Sequence, residues 1–167
     1  DVTCRPVADA DLNHYLDCRN LGCNMQNMTV NTPIPRITHY RWWLGQKRSS
    51  YLVEKNREKQ LYIWDETVRF QERQYLIGGW FVCSEKTAFD LVAAALWWQL
   101  AHTREQYPEA VWIAIIKKDN DYVNALNRYM GFTGVQEDSP EAAAIRHFFN
   151  NPDPGEFNYV QKSVCAF

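Results

Sequence analysis

The 167-residue sequence has no Cys-x-x-Cys pair, no internal repeat, no low-complexity tract and no apolar run approaching the roughly 18 residues a membrane helix needs. The five cysteines, Cys4, Cys18, Cys23, Cys83 and Cys165, are scattered and odd in number. That usage argues against a disulfide framework and against a zinc site, and it fits a reducing compartment. Charge of one sign is also missing. Eighteen basic against twenty acidic side chains leave a formal charge of −2, so there is no general electrostatic reason to sit on nucleic acid or an anionic membrane. The N-terminus carries no basic segment followed by an apolar one, and the expected location is the cytoplasm. Glycine is sparse, and none lies between Cys83 and Asp90.

What is present is material for a core. Apolar residues make up 46% of the chain, with 7 Trp, 9 Tyr and 8 Phe, which excludes a disordered-protein composition. A chain of this length is expected to fold as one domain, residues 1–167.

VTCRPV (2–7) reads as a first strand, and the spacing of Leu12, Tyr15 and Leu16 predicts a helix over 8–21. A polar loop over 22–35 precedes a helix that Thr38 is placed to cap. Three β-like runs follow, 49–55, 61–67 and 73–83, with REKQ as the turn between the first two. Gly78-Gly79 inside the third run suggests a bulge or a close backbone approach. The longest helix is expected over 87–107, with Thr87 and Asp90 at capping-box spacing, then a continuous apolar strand over 110–116. A short helix within 119–132, another opened by Ser139-Pro140, and a last strand over 156–164 complete the order. Strands three to five with the long helix between the last two make an α/β unit at the end of an antiparallel meander.

The stretch DNDYVNALNRYMGF (119–132) carries the most specific signal. Asn120 can cap the helix start, Gly131 can relieve a left-handed end, and Phe132 returns the chain to the sheet. This motif and the element order resemble the GCN5-related N-acetyltransferase (GNAT) family over nearly the whole chain. The resemblance implies an α/β (α+β) fold: a mixed, mostly antiparallel sheet of six to seven strands, helices on both faces, splayed between strands four and five. It implies acetyl-CoA as acyl donor and the primary amine of a small molecule, amino sugar or protein as acceptor. The implied donor-binding residues are Phe81, Val82, Cys83, Ser84, Lys86, Thr87, Ala88 and Asn120, with amides near Val82 polarising the thioester carbonyl. A further resemblance lies in Cys18-Arg19-Asn20, Ile34 and His39-x-x-Trp42, which match the W-R-N, I and H-x-x-W pattern of members acting on amino sugars or protein N-termini.

The sequence departs from that pattern in three places. Cys18 stands where the pattern has Trp. The turn CSEKTAFD lacks the glycines that let amides approach a diphosphate, although Ser84, Lys86 and Thr87 offer donors and a positive charge. Asn127 stands where many members carry the tyrosine that reprotonates the departing thiolate, and Tyr122 and Tyr129 lie on other helix faces. WFVCSEKTAFD is similar to small tailed-phage proteins of this fold, which include internal virion components. The alternative class is therefore a non-catalytic binding or structural protein of host cytoplasm or virion, with a homodimer or a virion partner. His39 is read as either a base or a packing residue beside Trp42 and Trp43, and Cys83 as a structural thiol. Glu54, Asp65 and Glu66 sit on strands where a base is usually found, each also readable as a solvated strand residue. Nucleic-acid binding through Arg41, Lys47, Arg48 and the neighbouring tryptophans is the third reading.

Overall fold

A computed structural model describes residues 1–29 and 31–165. The strands are β1 (Val2–Pro6), β2 (Ser49–Lys55), β3 (Glu58–Phe70), β4 (Arg73–Val82), β5 (Val111–Lys117), β6 (Thr133–Gly134) and β7 (Phe157–Ser163). The helices are α1 (Leu12–Arg19), preceded by a single 3-10 turn over Asp9–Asp11, α2 (Gly22–Met25), α3 (Arg36–Gly45), α4 (Phe89–Gln106), α5 (Asp121–Tyr129) and α6 (Pro140–Phe148). The strands form one seven-stranded mixed sheet in the order β1-β2-β3-β4-β5-β7-β6, with helices on both faces. Among the described residues no helix is long and apolar enough to cross a membrane.

β2 and β3 pair antiparallel and β4 follows β3 in the sheet, in the order expected of the meander, while β1, expected only as a first strand, pairs antiparallel with β2. β4 and β5 are parallel, but their paired register covers only Tyr75↔Val111 and Leu76↔Trp112, although the strands run on to Val82 and Lys117. The expected opening of the sheet is thus present. β5 continues as a full antiparallel ladder with β7, from Val111↔Ser163 to Lys117↔Phe157.

By their contacts the residues sort into two compact units whose boundaries fall inside β3, β4 and α4: residues 1–66 with 78–96, and residues 67–77 with those from 97 onward. The first unit is built around Tyr15, Cys18, Leu52, Tyr62 and Phe81. Its rings interlock, with centroids of Tyr62 and Phe81 each 4.8 Å from that of Tyr15. Gly79 belongs to the same packing. A side chain there would meet the Trp64 indole at 3.1 Å, so the close approach expected of the glycine pair is to that ring. The second unit is built around Tyr75, Ile113, Ala144 and Ile145, with Val68, Ile115 and Phe148 against them.

Several boundaries differ from the sequence expectation for identifiable reasons. The chain reverses at Asn56-Arg57, whose φ values of 52 and 70 place both in the left-handed region, and Glu58 to Gln60 already belong to β3. No glycine marks that turn. α3 begins at Arg36, because Pro35 holds an extended conformation (φ −64, ψ 145) and its carbonyl accepts from the His39 amide at 3.0 Å, so Thr38 is not the cap. The polar segment after Gly22 contains the short helix α2. The hydroxyl of Thr87 donates to the Gln60 carbonyl at 3.0 Å, and the Asp90 carboxylate accepts from its neighbour Leu91 at 2.9 Å. Ser139 does cap α6, accepting from the Ala142 amide at 3.1 Å. Gly131 has φ +84, the left-handed end expected of it.

Candidate functional site

The end of β4 and the turn after it carry the candidate donor-binding residues of the first unit. Phe81 is 2% exposed and belongs to the aromatic core. Val82 is half-buried, and both of its main-chain groups are engaged by Asn24 of α2. The Val82 amide donates to Asn24 Oδ1 at 3.1 Å, and Asn24 Nδ2 donates to the Val82 carbonyl at 2.8 Å. The same nitrogen donates to the Cys18 carbonyl at 2.7 Å, and Asn24 is 6% exposed. The carboxamide therefore pairs with Val82 much as a neighbouring strand would.

The following residues are satisfied in a similar way. The Cys83 amide donates to the Gln60 carbonyl at 2.7 Å, the Lys86 amide to Ser84 Oγ at 3.2 Å, and the Thr87 amide to the Ser84 carbonyl at 3.1 Å. Ser84, Lys86 and Ala88 are exposed, while Thr87 is half-buried. A glycine-free turn is thus held by two main-chain carbonyls and one side-chain acceptor, the Ser84 hydroxyl, which takes the Lys86 amide that an anion would otherwise take.

Beside this turn lies a cluster that sequence spacing did not bring together. His14 and Cys18 are one helical turn apart on α1, and the ligand atoms of His14, Cys18 and Cys83 lie within 4.8 Å of one another. Cys18 Sγ is 3.6 Å from His14 Nδ1 and 3.7 Å from Nε2, and Nδ1 is 2.8 Å from the hydroxyl of Tyr62. The Cys83 thiol shares its proton with the Cys18 sulfur, which raises the pKa of Cys83, as does burial, and lowers that of Cys18. Burial, aided by the nearby Lys59 charge, keeps His14 neutral below its ordinary range, and burial likewise holds Tyr62 in its protonated form.

Other candidates of the first unit serve the packing. His39 is 3% exposed, lies among Tyr15, Trp42 and Trp43, and has Nε2 3.0 Å from the Leu12 carbonyl. Asn20 exchanges two hydrogen bonds with the backbone of Ile34, at 3.0 and 2.9 Å, which gives the Asn and Ile of that motif a shared structural task. Asp65 is buried at 2% exposure, against its reading as a solvated strand residue. Glu54 lies 3.5 Å from Arg5 and Glu66 3.7 Å from Arg48. The Arg48 guanidinium sits 3.5 Å over the Trp64 ring. A cleft of ≈ 280 Å³ is lined by residues including Asp9, Trp43, Arg48 and Ser50.

In the second unit Asn120 caps α5, its Oδ1 accepting from the Val123 amide at 3.1 Å. Asn124, which sequence reading passed over, holds the loop before the helix. Its Nδ2 donates to the carbonyls of Lys117 and Asn120 at 2.8 and 2.9 Å, and its Oδ1 accepts from Asn158 at 2.9 Å. Asn127 donates to the Val123 carbonyl within the helix at 2.9 Å. Tyr122 and Tyr129 are 44% and 68% exposed.

No protein-family model matches the sequence, and no curated protein matches it. The fold does match solved structures. A ribosomal-protein-alanine N-acetyltransferase from Brucella melitensis is 18% identical with a TM-score of 0.71, covering 96% of this chain and 99% of that one. An N-acetyltransferase from Staphylococcus aureus is 11% identical with a TM-score of 0.70, covering 98% and 99%. An aminoglycoside acetyltransferase in complex with coenzyme A is 10% identical with a TM-score of 0.69, covering 98% and 95%. The chain therefore has the GNAT fold.

Proposed function

We propose that residues 1–167 act as one acetyl-CoA-dependent N-acetyltransferase domain, working in the cytoplasm on a primary amine. The observation that carries this reading is the match of nearly the whole backbone to acetyltransferases, one of them holding coenzyme A. In this reading Lys86 supplies positive charge to the coenzyme diphosphate and the Ser84 hydroxyl supplies a donor, while the Thr87 hydroxyl would have to leave the Gln60 carbonyl to supply another. The amine nitrogen attacks the thioester carbonyl. A C–N bond forms, the C–S bond breaks, the nitrogen loses a proton and the departing thiolate gains one. Holding both reactants in register supplies much of the acceleration. Titrating the chain with acetyl-CoA in a calorimeter tests the reading. Micromolar binding followed by acetylation of an amine substrate, seen as a mass gain, supports it.

A second reading rests on a different observation: the amides of Val82, Cys83, Lys86 and Thr87 all have acceptors within the chain. Donors so engaged favour a non-catalytic binding or virion role, exerted through a homodimer or a virion partner. Absence of acetyl-CoA binding at millimolar ligand selects this reading over the first.

A further inference from the structure

We propose that His14, Cys18 and Cys83 form a three-ligand site for a soft divalent cation of the zinc class, with a solvent molecule in the fourth position. Direct transfer from acetyl-CoA uses none of the three as an acyl carrier, although Cys83 is also one of the implied donor-binding residues and all three belong to the first unit.

Distances carry it first. A tetrahedral zinc with bonds of about 2.3 Å to sulfur and about 2.0–2.1 Å to nitrogen holds S and N ligand atoms about 3.6 Å apart and two sulfurs about 3.8 Å apart. The separation of Cys18 Sγ from His14 Nε2 is 3.7 Å, and all three ligand atoms lie within 4.8 Å. Cys18 Sγ stands almost equally far from the two ring nitrogens, so the imidazole turns for Nε2 to share a centre with the sulfurs.

The surroundings carry it further. A metal-bound histidine usually gives its second ring N–H to an oxygen acceptor, which fixes the tautomer. Here Nδ1 lies 2.8 Å from the Tyr62 hydroxyl, and Tyr62 is fully buried at 0% exposure. In the metal-bound state Nδ1–H would donate to that oxygen, leaving the lone pair on Nε2. The frame is stiff: two ligands come from one face of α1, and the third follows β4 and is pinned by the hydrogen bond its N–H donates to the Gln60 carbonyl. Cys18 is 4% exposed, whereas His14 and Cys83 are half-buried, which leaves a side open for entry. Two thiolates and an imidazole select zinc over hard cations such as magnesium or calcium.

The test uses the reduced full chain with Co²⁺ as an optical probe of the same geometry. The expected result is one equivalent bound, with a thiolate-to-metal charge-transfer band and the intense visible bands of four-coordinate cobalt, both abolished when Zn²⁺ displaces it. Cys83→Ser removes the charge-transfer band or weakens it, and His14→Gln lowers affinity, while Cys23→Ser and Cys165→Ser leave the spectrum unchanged. Tyr62→Phe keeps all three ligands and weakens binding about 10–100-fold, as loss of an outer-sphere partner does. Far-ultraviolet circular dichroism establishes that each variant is folded. The proposal is overturned by a folded, reduced wild-type chain that takes up neither Co²⁺ nor Zn²⁺. A spectrum unaltered in folded Cys83→Ser also overturns it. So does a reduced chain that takes up no metal and in air closes a Cys18–Cys83 disulfide, seen as the loss of two free thiols, which assigns the pair to redox chemistry.

Discussion

The two units employ their polar side chains in different ways. In the first, polar contacts join residues far apart in sequence: His14, one helical turn from Cys18, meets Tyr62, and Asn24 takes both main-chain groups of Val82. In the second, Asn120 and Asn124 at α5 and Ser139 at α6 hold the ends of helices, and the longer-range bonds from Asn158 to Asn124 and from Arg73 to Glu141 involve no thiol or imidazole. The cores follow suit, with interlocked rings and thiols in one and Ile113, Ala144 and Ile145 in the other. Capping bonds are what any sheet-and-helix fold requires, so they say little about activity. The thiols and the imidazole of the first unit pack in or against its aromatic core, and the cation site proposed above draws on them.

Large-to-small substitutions test the two cores most severely. Phe81→Ala is expected to cost about 3–5 kcal/mol and Ile145→Ala about 2–5 kcal/mol, read from urea midpoints. A cost for Phe81→Ala below that of a surface change would remove the aromatic core as an organising feature.

Next in size is Gly131→Ala in the second unit. The new methyl meets a left-handed φ of +84 and stands 2.9 Å from Lys162 Nζ. The expected loss is about 1–2 kcal/mol in thermal or urea unfolding.

Acid sharpens the contrast, because the perturbed acid and imidazole groups belong to the first unit. The Asp11 carboxylate accepts from Arg5 and Lys59 at 2.8 Å, and the Arg5 guanidinium foremost holds it well below the usual carboxylate range. A depressed carboxylate contributes stability above its unfolded value of about 3.9 and loses it as pH falls further. Arg5 and Lys59 are 38% and 31% exposed, so screening limits the effect to about 1 kcal/mol. His14 and His39 are lowered mainly by burial. Below about pH 6.5 the unfolded chain takes up protons that these buried rings resist, so stability begins to fall there. Urea midpoints measured from pH 8 down to 3 are expected to decline in two stages, and Asp11→Asn to flatten the lower one.

The smallest effects are at the caps. Asn120→Ala and Ser139→Ala are each expected to cost about 0.5–1 kcal/mol, read from the thermal midpoint.

What could be read from the sequence was local. Ser139-Pro140, Asn120 and Gly131-Phe132 act through neighbours three to five residues away, and the structure places each as its spacing suggests. The meander and the parallel strand after α4 followed from apolar pattern and helix length. Non-local partners were illegible. Asn24 and Val82 are separated by 58 positions, and nothing in NMQN marks one asparagine as the partner of a strand. The absence of Cys-x-x-Cys spoke against zinc only for ligands close in sequence, whereas α1 and the end of β4 bring Cys18 and Cys83 together through the fold. The turn expected at 57–60 falls at Asn56-Arg57 instead, a shift that went unread because its left-handed residues are not glycines.

The Asn24 carboxamide has one further effect, on self-association. A strand end with open N–H and C=O groups is a template on which a second polypeptide can add. By covering both groups of Val82, one side chain blunts that template, and its removal would open both groups to an adhering strand.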